Sequence, residues 1–347
     1  MKKLFSLLCV FFMSMGAFAQ SSMLATLSHN GDITTYYGST AYRDAVNAAS
    51  DGDIITLSSG SFAAVNLTKA LTIRGAGMSV DTIAKTSPTI LSGKFSIQIP
   101  DSVTKRLTIE GIYSSEDITV NGKLQNATFL KDRFNIIQYG NSSTPLMKNL
   151  TFIHCRISSM LQLPDNSSAS CVNCYISDPY THGATLSNFE FTNCVIRFTS
   201  YGSYVGSPSM VRSSTYNNCV IYHTTSAFIS SLPSSCAAYY CVGRSANSSG
   251  NLFANQTNTT NWNLGNTAYS DLFKTCTGNY SDNETCELAD AAKTKYLGAD
   301  GKQVGMYGGD LPYSERPTNP QITKCNVAAK STADGKLSVD IEVSAAE

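Results

Sequence analysis

The sequence predicts an all-β fold in which the chain winds as a parallel solenoid, and three observations carry that prediction. The first is a phrase that recurs down the middle of the chain: Phe152-Ile-His-Cys155-Arg-Ile, Cys171-Val-Asn-Cys174-Tyr-Ile, Phe191-Thr-Asn-Cys194-Val-Ile and Tyr216-Asn-Asn-Cys219-Val-Ile. A worn copy, Ala238-Tyr-Tyr-Cys241-Val-Gly, follows, and earlier copies around Ala76, Ile112 and Asp132 lack the cysteine. The second is spacing. After a first gap of 36, the fourth positions step by 20, 23, 19, 20, 25 and 22 residues. An irregular period near 20 on short β-type runs marks stacked coils. The third is the corner residue of each phrase, which reads Gly75, Gly111, Lys131, His154, Asn173, Asn193, Asn218 and Tyr240. Gly and Asn tolerate the left-handed backbone that turns a strand sharply.

Alternation then assigns the columns. The first and fourth residues of each phrase point inward and the second and fifth outward. Coils stacked about 4.8 Å apart place equivalent residues in ladders. Cys155, Cys174, Cys194, Cys219 and Cys241 therefore form a buried column of small apolar side chains. Parallel ladders point their side chains the same way, whereas a disulfide needs facing Cβ atoms, so these five are expected as free thiols. Cys171 and Cys174 look like half a zinc knuckle, but the ladder accounts for both. Asp132 interrupts the column. Either Lys131 or Arg133 folds back to it, or the register slips by one there, and the slip is the preferred expectation.

The elements follow in order. Lys2 and Lys3, the apolar run Leu4 to Met15 and the small-residue site Ala17-Phe-Ala19 read as a secretory signal over 1–19. The run is too short to span a bilayer, so an exported chain beginning at Gln20 is expected. Residues 20–50 hold a strand and the amphipathic helix beginning Tyr42-Arg-Asp-Ala. Coils occupy 51–310, with an extra coil or a loop near Ala84 to Pro88. Leu288 to Tyr296 has helical composition. Residues 311–347 are a proline-punctuated linker and a β-hairpin turning at Ala333-Asp-Gly-Lys, whose second strand alternates Leu337, Val339, Ile341 and Val343 with polar residues.

The corner phrases, the opening helix followed by Asp51-Gly-Asp-Ile-Ile-Thr-Leu and Leu71-Thr-Ile-Arg-Gly-Ala-Gly, and the late Gly305-Met-Tyr-Gly-Gly-Asp resemble the right-handed, single-stranded parallel β-helix of the pectin-lyase-like superfamily. The likeness is greatest to exported members in gut Bacteroidota. The resemblance covers roughly residues 36–320 and implies that the helix caps the open end of the stack. It specifies a fold and leaves the activity open.

Composition narrows the function. Formal net charge is zero and charged residues make up 14% of the chain. That gives no case for nucleic acid or for insertion into a membrane. Ten cysteines follow the signal. Cys276 and Cys286, in a polar stretch, are the disulfide candidates. The spacing of Cys and His predicts no metal site, and no cofactor is expected.

Enzymes that share the resemblance cleave acidic polysaccharides, with an Arg or Lys base and a Ca²⁺ held by carboxylates, or with paired carboxylates. Between Lys148 and Ser270 the carboxylates are Asp165, Asp178 and Glu190. They are dispersed, and His182-Gly183 reads as a turn, so no catalytic residue is assigned. The outward fifth column instead reads Tyr113, Arg133, Arg156, Tyr175, with Lys131 and His154 at adjoining corners. Arginine forks take carboxylates and tyrosine rings stack on sugars. The expectation is a solvent-facing glycan-binding strip on an adhesin-like protein. A polysaccharide lyase or hydrolase and a structural spacer are the alternatives. Farther along, the column becomes Val195, Val220 and Val242. The hairpin is expected to cover that stripe, in its own chain or across a dimer.

Overall fold

The computed structural model describes residues 23–82, 86–140, 145–181, 188–199, 213–224, 231–318, 321–328, 330–332 and 334–344. The expected signal over 1–19 and His182-Gly183 lie outside the described residues. The chain forms a parallel β-helix of about eight turns. An 11-stranded and a 13-stranded sheet run its length. Leu24–His29 opens the smaller of these and pairs antiparallel with Asp32–Tyr37 and with Ile54–Leu57. From there each strand of the two long sheets pairs parallel with its equivalent one coil on.

Corners link the two sheets. Lys131, His154, Asn173, Asn193, Asn218 and Tyr240 hold φ between 49° and 54°, and Gly111 holds 68°. This is the left-handed region, where Asn and Gly cost least. The fourth-position side chain then turns inward. Its column explains the residue types found there. At the corner, the backbone N–H of this residue points at the equivalent side chain of the next coil. Cys155 N–H donates to Cys174 Sγ (3.3 Å), Cys194 to Cys219 (3.4 Å) and Cys219 to Cys241 (3.5 Å). Each thiol in turn donates to backbone carbonyls, as Cys194 does to Cys171 and Thr192. All five are free and buried. The column needs a small side chain that accepts a hydrogen bond, a requirement valine would fail.

Asp132 meets the same need, so the expected register slip does not occur. Its carboxyl accepts Ile112 N–H (2.8 Å) and Leu130 N–H (3.1 Å), and Arg133 remains in step with Tyr113 and Arg156. Asn261 ends the column by accepting Cys241 N–H (2.9 Å). At the other end, the inward place falls to Thr89 rather than Ala76, because Thr89 pairs with Ile112. The long first gap is thus spanned by one enlarged coil, not by an extra coil.

Below the corners, the first-position column stacks aromatics. Phe129 lies 4.8 Å from Phe152 at 7° between planes, and Phe191 lies 5.0 Å from Tyr216 at 14°. Helix Ala41–Ala48 buries Ala41, Tyr42, Ala45 and Val46 over the first coil, with Tyr42 edge-on to Phe62. Lys69 Nζ takes the carbonyls of Val46, Asn47 and Ala49 at its C-terminus, where cations are favoured.

The coils end earlier than the 51–310 expectation. Trp262–Asn263 is the last strand of the stack. Two short helices, Tyr269–Leu272 and Asp290–Lys295, follow it. The chain then runs back along the corners toward the first coils. Gly305 N–H donates to Asn218 O, Asn173 Nδ2 to Met306 O and Gly308 O, and Thr318 N–H to Glu110. Gly309 is required in this passage: a Cβ there would lie 2.2 Å from Asn193 Nδ2, and its φ is +75°.

The hairpin, Gln321–Val327 with Val339–Ser344, is a separate antiparallel sheet. Among the described residues, its apolar face does not dock on the coils as expected. Leu337, Val339, Ile341 and Val343 are 51%, 50%, 51% and 60% exposed. No helix among the described residues is long and apolar enough to cross a membrane.

Candidate functional site

The strand pairing places Tyr113, Arg133, Arg156 and Tyr175 in one continuous column. Val195, Val220, Val242 and Trp262 extend it. The column points away from the coil interior, as alternation requires. It does not face solvent, and this corrects the expected open strip. The segment after Trp262 folds over it and builds a second apolar core. Leu272, Phe273, Leu288, Val304 and Met306 pack with Tyr175, Val195, Val220, Tyr222 and Val242. The stripe of valines is covered, by this segment and not by the hairpin.

Charge and ring contacts hold the polar half of the column. Arg133 lies 4.7 Å over the Tyr113 ring and pairs with Asp282. Arg156 is 5% exposed. Its guanidinium sits 5.7 Å from the centroids of both Tyr175 and Tyr280. Nη2 donates to the Glu284 carbonyl (2.6 Å) and Nη1 to the Glu315 carboxylate (3.4 Å). Burial opposes its charge, but the balance of its surroundings, which include the Glu315 carboxylate, raises its pKa, so it stays protonated. Burial pushes the Tyr175 hydroxyl well above its usual range, and that hydroxyl lies 3.2 Å from Tyr222 Oη.

The two corner residues are also engaged. His154 Nε2–H donates to Leu311 O (3.1 Å), and burial lowers its pKa, so the ring is neutral at pH 7. Lys131 is buried and its pKa is lowered by desolvation, against the pull of Glu110. All six residues of the expected glycan strip therefore come together along one corner, as the seat of the returning segment. Sequence reasoning missed their cover. The apolar residues Leu272, Phe273, Leu288, Val304 and Met306 were the available signal, scattered through a polar stretch without a repeat.

Buried carboxylates have structural partners. Asp53 accepts Ser50 N–H and faces His29. Glu110 accepts Thr318 N–H and pairs with Arg74. Asp178 accepts Thr199 N–H, and Glu284 accepts the Thr277 N–H and hydroxyl. Among the described residues, three side chains able to ligate a metal converge: Cys276, Glu284 and Cys286. Both of these cysteines are free thiols in the structure.

Two open clefts lie away from the covered column. One, of about 420 Å³, is lined by Asp101, Lys105, Arg106, Lys123 and Asn126 among others. The other, of about 620 Å³, is lined by Lys123, Tyr139, Pro145, Pro164 and Asp165 among others. Lys123 belongs to both, where Lys123–Gln125 pairs parallel with Leu146–Lys148. Lys105 and Arg106 are exposed, and Tyr139 is half-buried. Compared with known proteins, the chain matches no family model, no curated protein and no solved structure, so the parallel β-helix rests on its own strand pairing.

Proposed function

We propose that the chain is an exported β-helix protein of the pectin-lyase-like superfamily that binds a glycan, and that the glycan lies along the joined clefts at Lys123. One observation carries the reading. Lys105, Arg106 and Lys123, the last paired with Asp101 at 2.6 Å at the rim, border open space together with Tyr139, whereas Arg133 and Arg156 lie under the returning segment. Cations that reach solvent can hydrogen-bond sugar hydroxyls or acidic substituents, and Tyr139 lines the same space. The carboxylates lining the clefts, Asp101 and Asp165, lie one in each, and Asp101 is paired with Lys123, which favours binding over bond cleavage.

A glycan array probed with the secreted chain tests this. The same polysaccharides are incubated with the protein and followed for the absorbance of unsaturated uronates. Binding without new absorbance is the expected result. Replacing both Arg106 and Lys123 with Ala should weaken it by about 1.5–3 kcal/mol per lost charge-assisted hydrogen bond. New absorbance would favour the lyase alternative. Silence across the array would favour the spacer.

A further inference from the structure

We propose that Cys276 and Cys286 are joined as a cystine that latches residues 277–285 over the two arginines. The two sulfurs and a Glu284 carboxylate oxygen all lie within 4.8 Å of one another, and all three side chains are buried. Pairing on both sides holds the cysteine backbones together. Phe273 bridges Leu288 antiparallel, Lys274 N–H donates to Glu287 O (2.9 Å), and Thr285 N–H donates to Thr275 Oγ1 (3.2 Å). Cys286 holds φ +54°, a conformation that a non-glycine residue keeps only when its surroundings enforce it. The loop so closed carries Tyr280, Asp282 and Glu284, which supply most of the cap's contacts to Arg133 and Arg156. A cross-link at its base would fix all three.

The same atoms could hold a thiolate-binding dication, and the surroundings argue against it. Glu284 Oε1 already accepts the Thr277 N–H (2.9 Å) and hydroxyl (2.8 Å). The Arg156 guanidinium is hydrogen-bonded to the Glu284 carbonyl, which sets a fixed positive charge beside the three ligands. A dication would be repelled there, and a neutral cystine would not. The ladder thiols cannot follow the same course. They sit in register on parallel strands and donate to carbonyls.

The chemistry balances by thiol–disulfide exchange with a small-molecule disulfide such as oxidised glutathione. Cys276 attacks one sulfur as thiolate and releases one glutathione thiolate. Cys286 then attacks the mixed disulfide at the Cys276 sulfur and releases the second. The two protein thiols lose two protons and two electrons. The disulfide takes them up as two thiols.

The proposal does not rest on the glycan reading. Its test uses the full chain purified without reductant, treated with oxidised glutathione, alkylated in denaturant and mapped by peptide mass spectrometry. Cys276 and Cys286 are expected in one linked pair, about 2 Da lighter than the two thiol peptides together, with the five ladder cysteines alkylated. Reduction should then speed proteolysis within 277–285 by about ten-fold, because an untied loop opens locally more often. Cys286→Ser should match the reduced protein. Alkylation of both cysteines after oxidation, linkage of either to another cysteine, or one equivalent of zinc retained by the native chain and lost in Cys276→Ser would each overturn the latch. If the variant fails to fold, the peptide map of the unaltered chain decides.

Discussion

The inner and outer columns of the same corner are built on opposite plans. Inside, Cys155, Cys194 and Cys219 bond to partners 19, 25 and 22 residues on, in the neighbouring coil. Outside, one residue further along the strand, Arg156 bonds to partners 128 and 159 residues on. The inner column is a property of the repeat and would form in any stack of these coils. The outer column is complete only when a non-repeating segment returns to cover it. A ladder of similar residues can thus be self-sufficient on one side of a sheet and dependent on distant sequence on the other.

The largest expected effect is at Arg156. Arg156→Ala should destabilise the chain by about 3–5 kcal/mol in denaturant titration, because its loss strands buried partners in the second core. Arg133→Ala, whose partner Asp282 is largely exposed, should cost less than about 1 kcal/mol. Equal costs at the two arginines would break the picture of a buried outer column anchored at one end.

Next comes Asp132, the inner column's charged member. Asp132→Ala leaves two corner N–H groups without an acceptor, at about 1–3 kcal/mol each. Asp132→Cys restores the ladder and should recover most of that loss. Burial raises the Asp132 carboxyl well above its usual range, so the folded chain keeps a proton that the unfolded chain sheds above about pH 4. Its contribution is complete below that pH and is lost as pH rises through the folded value. Urea midpoints at several pH values should show stability declining with pH in the parent and a shallower decline in Asp132→Cys. Parallel curves would mean that the carboxyl does not hold a proton in the fold.

Asn173 joins the two columns, being a left-handed corner whose side chain also holds the returning segment. Asn173→Gly keeps the turn and loses the two hydrogen bonds, for about 1–3 kcal/mol. Asn173→Ala adds strain of roughly 1–2 kcal/mol from the left-handed backbone. Limited proteolysis across 300–312 should follow the same order. An intact segment in both variants would show that apolar burial alone seats it.

The smallest effect is reserved for the tail. Removing residues 321–347 takes away a hairpin whose apolar face is about half exposed, so the melting temperature should shift by no more than about 1 °C. A larger drop, with a change in oligomeric state, would place the hairpin on a second copy of the chain.

Much of the fold was legible in the residues themselves. The phrase containing His154-Cys155 and its relatives revealed the coil period, the left-handed corners and the register. Each of these is a local requirement, repeated until it becomes visible. The column from Tyr113 to Tyr175 could be aligned for the same reason. Asp132 was misread because an acid in an apolar column suggests an error of register. It is explained once the column is seen to require a hydrogen-bond acceptor, which both a thiol and a carboxyl supply. Alternation told that Arg156 points out of the coil, but outward is not the same as exposed.

By itself, then, the sequence determined how each coil bends and stacks, because a corner needs a residue that tolerates positive φ and a ladder needs like residues at like intervals. The tertiary structure decided what the outer face is for. Leu272, Val304 and Met306 carry no repeat and no strict alternation. Their affinity for the Val195, Val220 and Val242 stripe is a matter of shape and of removing apolar surface from water. Those forces are non-directional and leave no periodic trace along the chain. The hairpin alternates more cleanly than the true cover, yet it remains exposed. A pattern in sequence states which face of a strand is apolar, and only packing states what that face meets.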